Sequence, residues 1–263
     1  MGWFKKIKTQ QLNFFKGKIT LPDIVYIDYD GTISDNNGYL YDAFVYSARK
    51  HLTRKQVKEV KKIKEDGDRW AYLGTLKLSQ EEEQAFSNDF ANYMTQQQLK
   101  LIKGIMSFIK LLNKVDIPVY ILSQKGGESL RNELKKNKMY RYFKGAYGSY
   151  DFEGCMKPSP EFTAKIKEAT LAKPDKICWM IGNTYTDVEM GKNIGCQSFL
   201  VTKEDFKKVN KENRDIVGRY VFFTSYNQLS KLIKVMLDHK KRKLAKIAQM
   251  QAQQNNNQNN IQK

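Results

Sequence analysis

Hydrophobic spacing along the chain is of two kinds, and the change from one to the other divides it. Near the start, a short unbroken apolar run, IVYI, ends in two acids, Asp28 and Asp30, followed at once by Gly-Thr. A run of that length predicts a buried strand, and acids at its carboxyl end sit where open α/β sheets place their ligand sites. From about residue 38 to 114 the spacing is helical, as in YDAFVYSARKHL, RKQVKEVKKIKE and EEEQAFSNDFANYM, with no convincing strand. This stretch predicts a helical insertion. Beyond it, IPVYILS, ICWMIG, QSFLV and YVFFTS are short β-rich runs, several of them separated by helical stretches such as PEFTAKIKEAT and TDVEMGKNIG. Strands separated by helices imply βαβ units, so the chain is expected to be α/β with a parallel sheet.

The two ends differ from the middle. Residues 1–20 hold Lys5, Lys6, Lys8, Lys16 and Lys18, no acid, and the bulky apolar residues Trp3, Phe4, Ile7, Leu12, Phe14 and Phe15. Such a basic aromatic arm can lie on a membrane or polyanion, but packing its aromatics on the domain is the favoured reading. Gly2 invites a myristoylation reading, which Lys6 opposes because that motif wants Ser or Thr there. Residues 239–263 turn basic and then rich in Gln and Asn, and a polar tract of that kind is expected to be a disordered tail.

With 263 residues, 41% of them hydrophobic, the chain can build one sizeable domain or one carrying an insert. Its net charge of +18 favours anionic partners, whether phosphorylated substrates, nucleic acid or an acidic membrane surface, without choosing among them. Cys155, Cys178 and Cys196 are odd in number and lack CxxC spacing. That argues against a disulfide framework and a zinc site and fits a reducing compartment. No apolar segment approaches transmembrane length and no signal-peptide core is visible, so a soluble cytoplasmic protein is expected.

The candidate chemistry is spread over four strand ends and helix starts. After Asp28 and Asp30 come Ser123 at the end of VYILS, Lys157 opening KPSPEF, and Asn183 and Asp187 in IGNTYTD. Taken together, these residue types suit phosphoryl transfer. A carboxylate can attack phosphorus, a second carboxyl can protonate the leaving oxygen, and Mg²⁺ can neutralise charge between carboxylates and phosphate. A hydroxyl and an ammonium can hold the remaining oxygens. Singly, each residue has a plainer explanation. Ser123 or Lys157 alone is most often a cap or a solvated side chain, and Asp187 alone an acid at a helix start, with Thr184 or Thr186 as N-cap. Lys125, Gly126 and Gly127 read as a strand-to-helix loop before a phosphate-binding turn, and His51 and His239 match no catalytic pattern.

In combination the motifs resemble those of the haloacid dehalogenase-like superfamily. DYDGTISD is similar to its first motif, DxDGT; Ser123, Lys157 in KPSPEF, and GNTYTD are similar to the second, third and fourth. The resemblance covers about residues 21–205. It implies a Rossmann-like core over 21–35 and 113–238 with a helical cap at 36–112 that closes over small substrates. It also implies that Asp28 is nucleophile and Mg²⁺ ligand, and that Asp30 is general acid and base with its carbonyl on the metal. Ser123, Lys157 and Thr32 would bind the phosphoryl group, and Asn183 and Asp187 would complete the metal site. Dehalogenating members lack an acid at the place of Asp30, so a Mg²⁺-dependent phosphatase acting on a small phosphorylated metabolite is the activity implied. Cap residues would set the substrate, with Tyr39, Tyr41, Tyr46, Arg49, Arg69 and Trp70 as candidates.

One position departs from the pattern. The family usually has Asp where this chain has Asn183, a neutral oxygen ligand. Two alternatives follow. One is a pseudo-phosphatase serving as a phosphate-ligand binding or regulatory module. The other is a protein that associates with RNA or an acidic membrane surface through its basic termini.

Overall fold

A computed structural model describes residues 19–35, 37–64, 66–152, 155–173, 175–201 and 220–261. Nearly all of the expected N-terminal arm therefore lies outside the described residues. Strand β1 (Ile24–Ile27) is followed by helices α1 (Asn37–His51), α2 (Arg54–Lys62), α3 (Asp66–Thr75) and α4 (Gln80–Gln96). Next come α5 (Ile105–Lys114), β2 (Val119–Gly126), α6 (Gly127–Lys136), β3 (Gly145–Ser149), α7 (Pro160–Ala169) and β4 (Cys178–Gly182). The chain ends with α8 (Tyr185–Ile194), β5 (Gln197–Val201), β6 (Tyr220–Phe223) and α9 (Tyr226–Ile261).

Two compact units result, one of residues 33–102 and the other of the remainder. In the larger unit six strands form one parallel sheet in the order β3-β2-β1-β4-β5-β6. All four residues of β1 are buried, as a strand covered on both faces requires, which is why it reads as a continuous apolar run. The chain winds outward from β1 through β2 to β3, then crosses to β4 on the other side of β1 and winds outward again. Strand order reverses at β1, the place where open α/β sheets hold their ligands, and Asp28 follows directly at the carboxyl end of that strand.

In the smaller unit, Phe44, Trp70, Phe86 and Phe90 pack edge to face, with ring centroids 5.0 to 6.4 Å apart. Thr53 and Ser79 close capping boxes at the starts of α2 and α4. Two of the expected substrate-setting residues have structural work here. Trp70 belongs to the aromatic core. Arg69 is buried and donates to the carbonyls of Ile63 and Lys64, at 3.0 and 2.9 Å, just past the end of α2.

Two sequence expectations change. Helix α5, placed in the cap by a boundary at 112, belongs to the larger unit, where the Phe108 and Tyr226 rings meet at 5.6 Å, tilted by 33°. The tail expected to be disordered is helical as far as Ile261. Up to Gln254 its Lys, Arg, Leu, Ala, Gln and Met residues are strong helix formers, an intrinsic preference that an argument from burial alone leaves out. Cys178 and Cys196, for which no disulfide is expected, are free thiols whose sulfurs lie 2.7 Å apart.

Candidate active site

The site is built where β1 ends. The Asp28 N–H still bonds to the Ile181 carbonyl of β4 at 2.9 Å, so the sheet fixes this backbone. Asp28 is buried, and each of its oxygens is engaged. Lys157 Nζ donates to Oδ1 at 2.8 Å, and Thr32 Oγ1 donates to Oδ2 at 2.9 Å. Lys157 Nζ also reaches Asp187 Oδ1 at 2.6 Å and the Leu122 carbonyl of β2 at 3.2 Å. One buried ammonium thus lies between two buried carboxylates, with its third donor on the sheet. Burial pushes the Asp28 carboxyl up to about 7, Asp187 adds to the rise, and Lys157 opposes it. Burial also works against the Lys157 ammonium, but Asp187 and Asp28 outweigh it and hold its proton above the ordinary lysine range.

Asp187 Oδ2 accepts from the N–H groups of Asn183 and Thr184, both at 3.0 Å, and from Thr184 Oγ1 at 2.8 Å. With Oδ1 on Lys157, this carboxylate is saturated. It caps α8, shapes the loop that carries Asn183 and anchors the lysine.

The orientation of the Asn183 amide follows from what it faces. The Asp30 carbonyl and Asp28 Oδ2, both at 3.1 Å, are acceptors, and the Thr32 hydroxyl, at 2.9 Å, has given its proton to Asp28. Only the amide nitrogen satisfies all three. Gly31 makes room for the amide. Its φ of +77° lies in the left-handed region, and a Cβ there would stand 2.4 Å from the other terminal atom of the amide, its oxygen in this orientation.

Ser123 is buried on β2, and its Oγ accepts from the Lys125 N–H at 3.1 Å. Hence Asp28, Thr32, Lys157, Asn183 and Asp187 share one hydrogen-bonded cluster. Asp30 adjoins it through its carbonyl, and Ser123 through the neighbouring Leu122. Two supports have no sequence signal. Buried Tyr226, at the start of α9, donates its hydroxyl to the Thr32 carbonyl at 2.8 Å. Gln124 donates to the Lys157 carbonyl at 3.3 Å.

Among the described residues no group of three or more His, Cys, Asp or Glu side chains could hold a metal ion. The available donor set is mixed: the Asp28 carboxylate, the Asp30 main-chain carbonyl and the Asn183 amide, which presents oxygen when turned half a revolution. Such an all-oxygen set with a single carboxylate suits Mg²⁺, which keeps several of its waters.

The family model for haloacid dehalogenase-like hydrolase matches residues 25–201. A relative from Caldanaerobacter subterraneus subsp. tengcongensis, named "Putative pyrophosphatase PpaX", is 26% identical over 216 residues, covering 80% of this chain and 94% of that protein. Two solved structures share the fold. A HAD-superfamily hydrolase from Ehrlichia chaffeensis superposes with a TM-score of 0.55 at 20% identity over 84% of this chain and 100% of its own. A predicted phosphatase from Clostridium acetobutylicum gives a TM-score of 0.62 at 17% identity over 81% and 99%.

Proposed function

The chain belongs to the haloacid dehalogenase-like hydrolases, and from that premise we propose that it is a Mg²⁺-dependent phosphatase acting on a small phosphomonoester. The observation that carries the reading is the buried Asp28–Lys157–Asp187 cluster at the sheet's switch point, with a second acid at Asp30. Lys157 opposes the rise that burial gives the Asp28 carboxyl and so favours its anionic form, and a carboxylate whose pKa is raised is a stronger nucleophile. An oxygen of Asp28 attacks phosphorus. The Asp28–phosphorus bond forms as the ester P–O bond breaks, and Asp30 gives its proton to the departing alkoxide. Asp30, now a carboxylate, takes a proton from water as that water attacks phosphorus. The aspartyl phosphate splits and inorganic phosphate leaves. Ser123, Lys157 and Thr32 are the groups that would hold the other phosphoryl oxygens. Asp28, the Asp30 carbonyl and Asn183 would hold Mg²⁺, supported by Asp187 through the loop, and the ion would offset negative charge on the phosphoryl group.

The test is hydrolysis of p-nitrophenyl phosphate and of alkyl phosphates, with Mg²⁺ and with chelator. Asp28→Asn should abolish turnover. Asp30→Asn should lower it by a factor of about 10² to 10⁴, most severely with a poor leaving group. Full activity in Asp28→Asn would remove Asp28 as the nucleophile and with it the aspartyl-phosphate mechanism. A second reading, a module that binds phosphate esters without turning them over, draws on the neutral Asn183 bonded across Asp28 and Asp30. It predicts ester binding with no release of phosphate at any Mg²⁺ concentration.

A further inference from the structure

Helix α9 has two halves. In the first, Tyr226, Leu229, Leu232 and Ile233 are buried on the larger unit. From Asp238 to Gln254 every side chain is exposed, a stretch of about 25 Å at helical rise. Lys240, Lys241, Arg242, Lys243 and Lys246 lie here, and Asp238 is the only acid from that point to the end of the helix. The spacings Lys240–Lys243 and Lys243–Lys246, three apart, and Arg242–Lys246, four apart, set like charges side by side, which weakens an isolated helix. Three large apolar side chains share the segment: Leu244 is 57% exposed, Ile247 41% and Met250 61%. On a helical wheel Leu244, Ile247 and Ala248 fall on one face. Lys240 and Lys241 flank Leu244 one turn earlier, and Arg242 and Lys246 fall opposite.

We propose that the exposed half of α9 docks on an anionic lipid bilayer. Leu244 and Ile247 enter the head-group boundary, while Lys240 and Lys241 keep their stems along the apolar face and their ammonium groups among anionic head groups. The charge complements such a surface, and the apolar face selects it over other polyanions. A nucleic-acid backbone would satisfy the cations but leave Leu244 and Ile247 in water. A second copy of the helix would bring five cations against five. The inference stands apart from the phosphatase reading, because none of these residues touches the site.

The experiment is co-sedimentation of the full chain with phosphatidylcholine vesicles, alone or containing about one third phosphatidylserine, at low and raised salt. Binding should require phosphatidylserine and weaken with salt. Each lysine near an anionic leaflet contributes about fivefold in partitioning, so Lys240→Gln with Lys241→Gln should weaken binding about 25-fold. Leu244→Gln with Ile247→Gln should weaken it at least tenfold at unchanged charge. Glutamine retains helix propensity, and an unchanged unfolding midpoint verifies the fold. Binding that both double variants retain would place the membrane contact elsewhere and overturn the proposal, as would absence of vesicle binding. So would either of two other patterns without vesicle binding: RNA binding that survives loss of Leu244 and Ile247, or a doubled mass in light scattering that disappears with them.

Discussion

Asn183→Asp probes the departure from the family pattern directly. The Asn183 amide nitrogen donates to Asp28 Oδ2 and to the Asp30 carbonyl, both at 3.1 Å. A carboxylate oxygen in its place turns both attractions into repulsion. Unit charges about 3 Å apart repel by about 5 kcal/mol at an effective dielectric of about 20. The cost has a ceiling, because the new carboxyl can take a proton instead. Holding a group with an ordinary pKa of about 3.9 neutral at pH 7 costs about 4 kcal/mol. The cation-free variant should therefore unfold roughly 8 to 16 °C lower, at about 2 to 4 °C per kcal/mol for a chain of this size. The pH dependence has a definite sign. A carboxyl whose folded pKa lies above its unfolded value destabilises as pH rises, so the deficit should be absent below about pH 4 and grow towards neutrality. Mg²⁺ should act in the opposite direction, since a second carboxylate in the donor set binds the ion more tightly, and should raise the variant's midpoint more than the parent's. Scanning fluorimetry of both proteins across pH, with and without millimolar Mg²⁺, measures all three effects. Superimposable curves would refute the placement of Asn183 beside Asp28.

Lys157→Met removes the ammonium bonded to Asp28 at 2.8 Å and Asp187 at 2.6 Å, leaving two buried carboxylates unpaired. A loss of about 3 to 5 kcal/mol in urea unfolding is expected at neutral pH, shrinking as acid protonates Asp28; a loss under 1 kcal/mol would mean that these groups are not buried together. Tyr226→Phe deletes the hydroxyl bonded to the Thr32 carbonyl at 2.8 Å. It should cost about 1 to 3 kcal/mol and lower turnover by loosening Thr32, whereas unchanged stability and turnover would show that α9 does not support the motif loop.

What was legible in the sequence is what a local pattern encodes. A buried parallel strand must be apolar throughout, so IVYI, ICWMIG and QSFLV announce β1, β4 and β5, and the acids of DYDGT mark the end of the first. Strand β3, Gly145–Ser149, gives no such signal because two of its five residues are glycine. The reason for one of them is spatial: a Cβ on Gly148 would lie 2.1 Å from the Lys125 carbonyl oxygen. Helix α5 has a clear helical period, but period does not say which unit its apolar face will meet. The support that Tyr226 gives Thr32 joins residues 194 positions apart, beyond any motif. Asn183 could be identified as a departure from its type alone. That its nitrogen faces Asp28 and Asp30 depends on three neighbours from another strand end.

The charge around Asp28 gives that departure a physical direction. Lys157 brings one positive charge to two carboxylates, and all three residues are almost wholly shielded from water. The cluster is therefore anionic before Asp30 is counted, and a phosphomonoester adds up to two further negative charges. Burial raises the Asp28 carboxyl to about 7, and the neighbouring Asp187 charge adds to that rise. With Asp at position 183 the imbalance would deepen, and a divalent cation would be needed simply to keep the cluster folded and ionised. With Asn, the amide bridges Asp28 and Asp30 by hydrogen bonds, so the cation-free site is already satisfied. If Mg²⁺ binds there as proposed, it would have to break those bonds and turn the amide, which would lower affinity for the ion. A phosphate dianion bound as proposed would meet one fewer repelling carboxylate. The two effects oppose each other in turnover but separate in binding, because only the first depends on the ion.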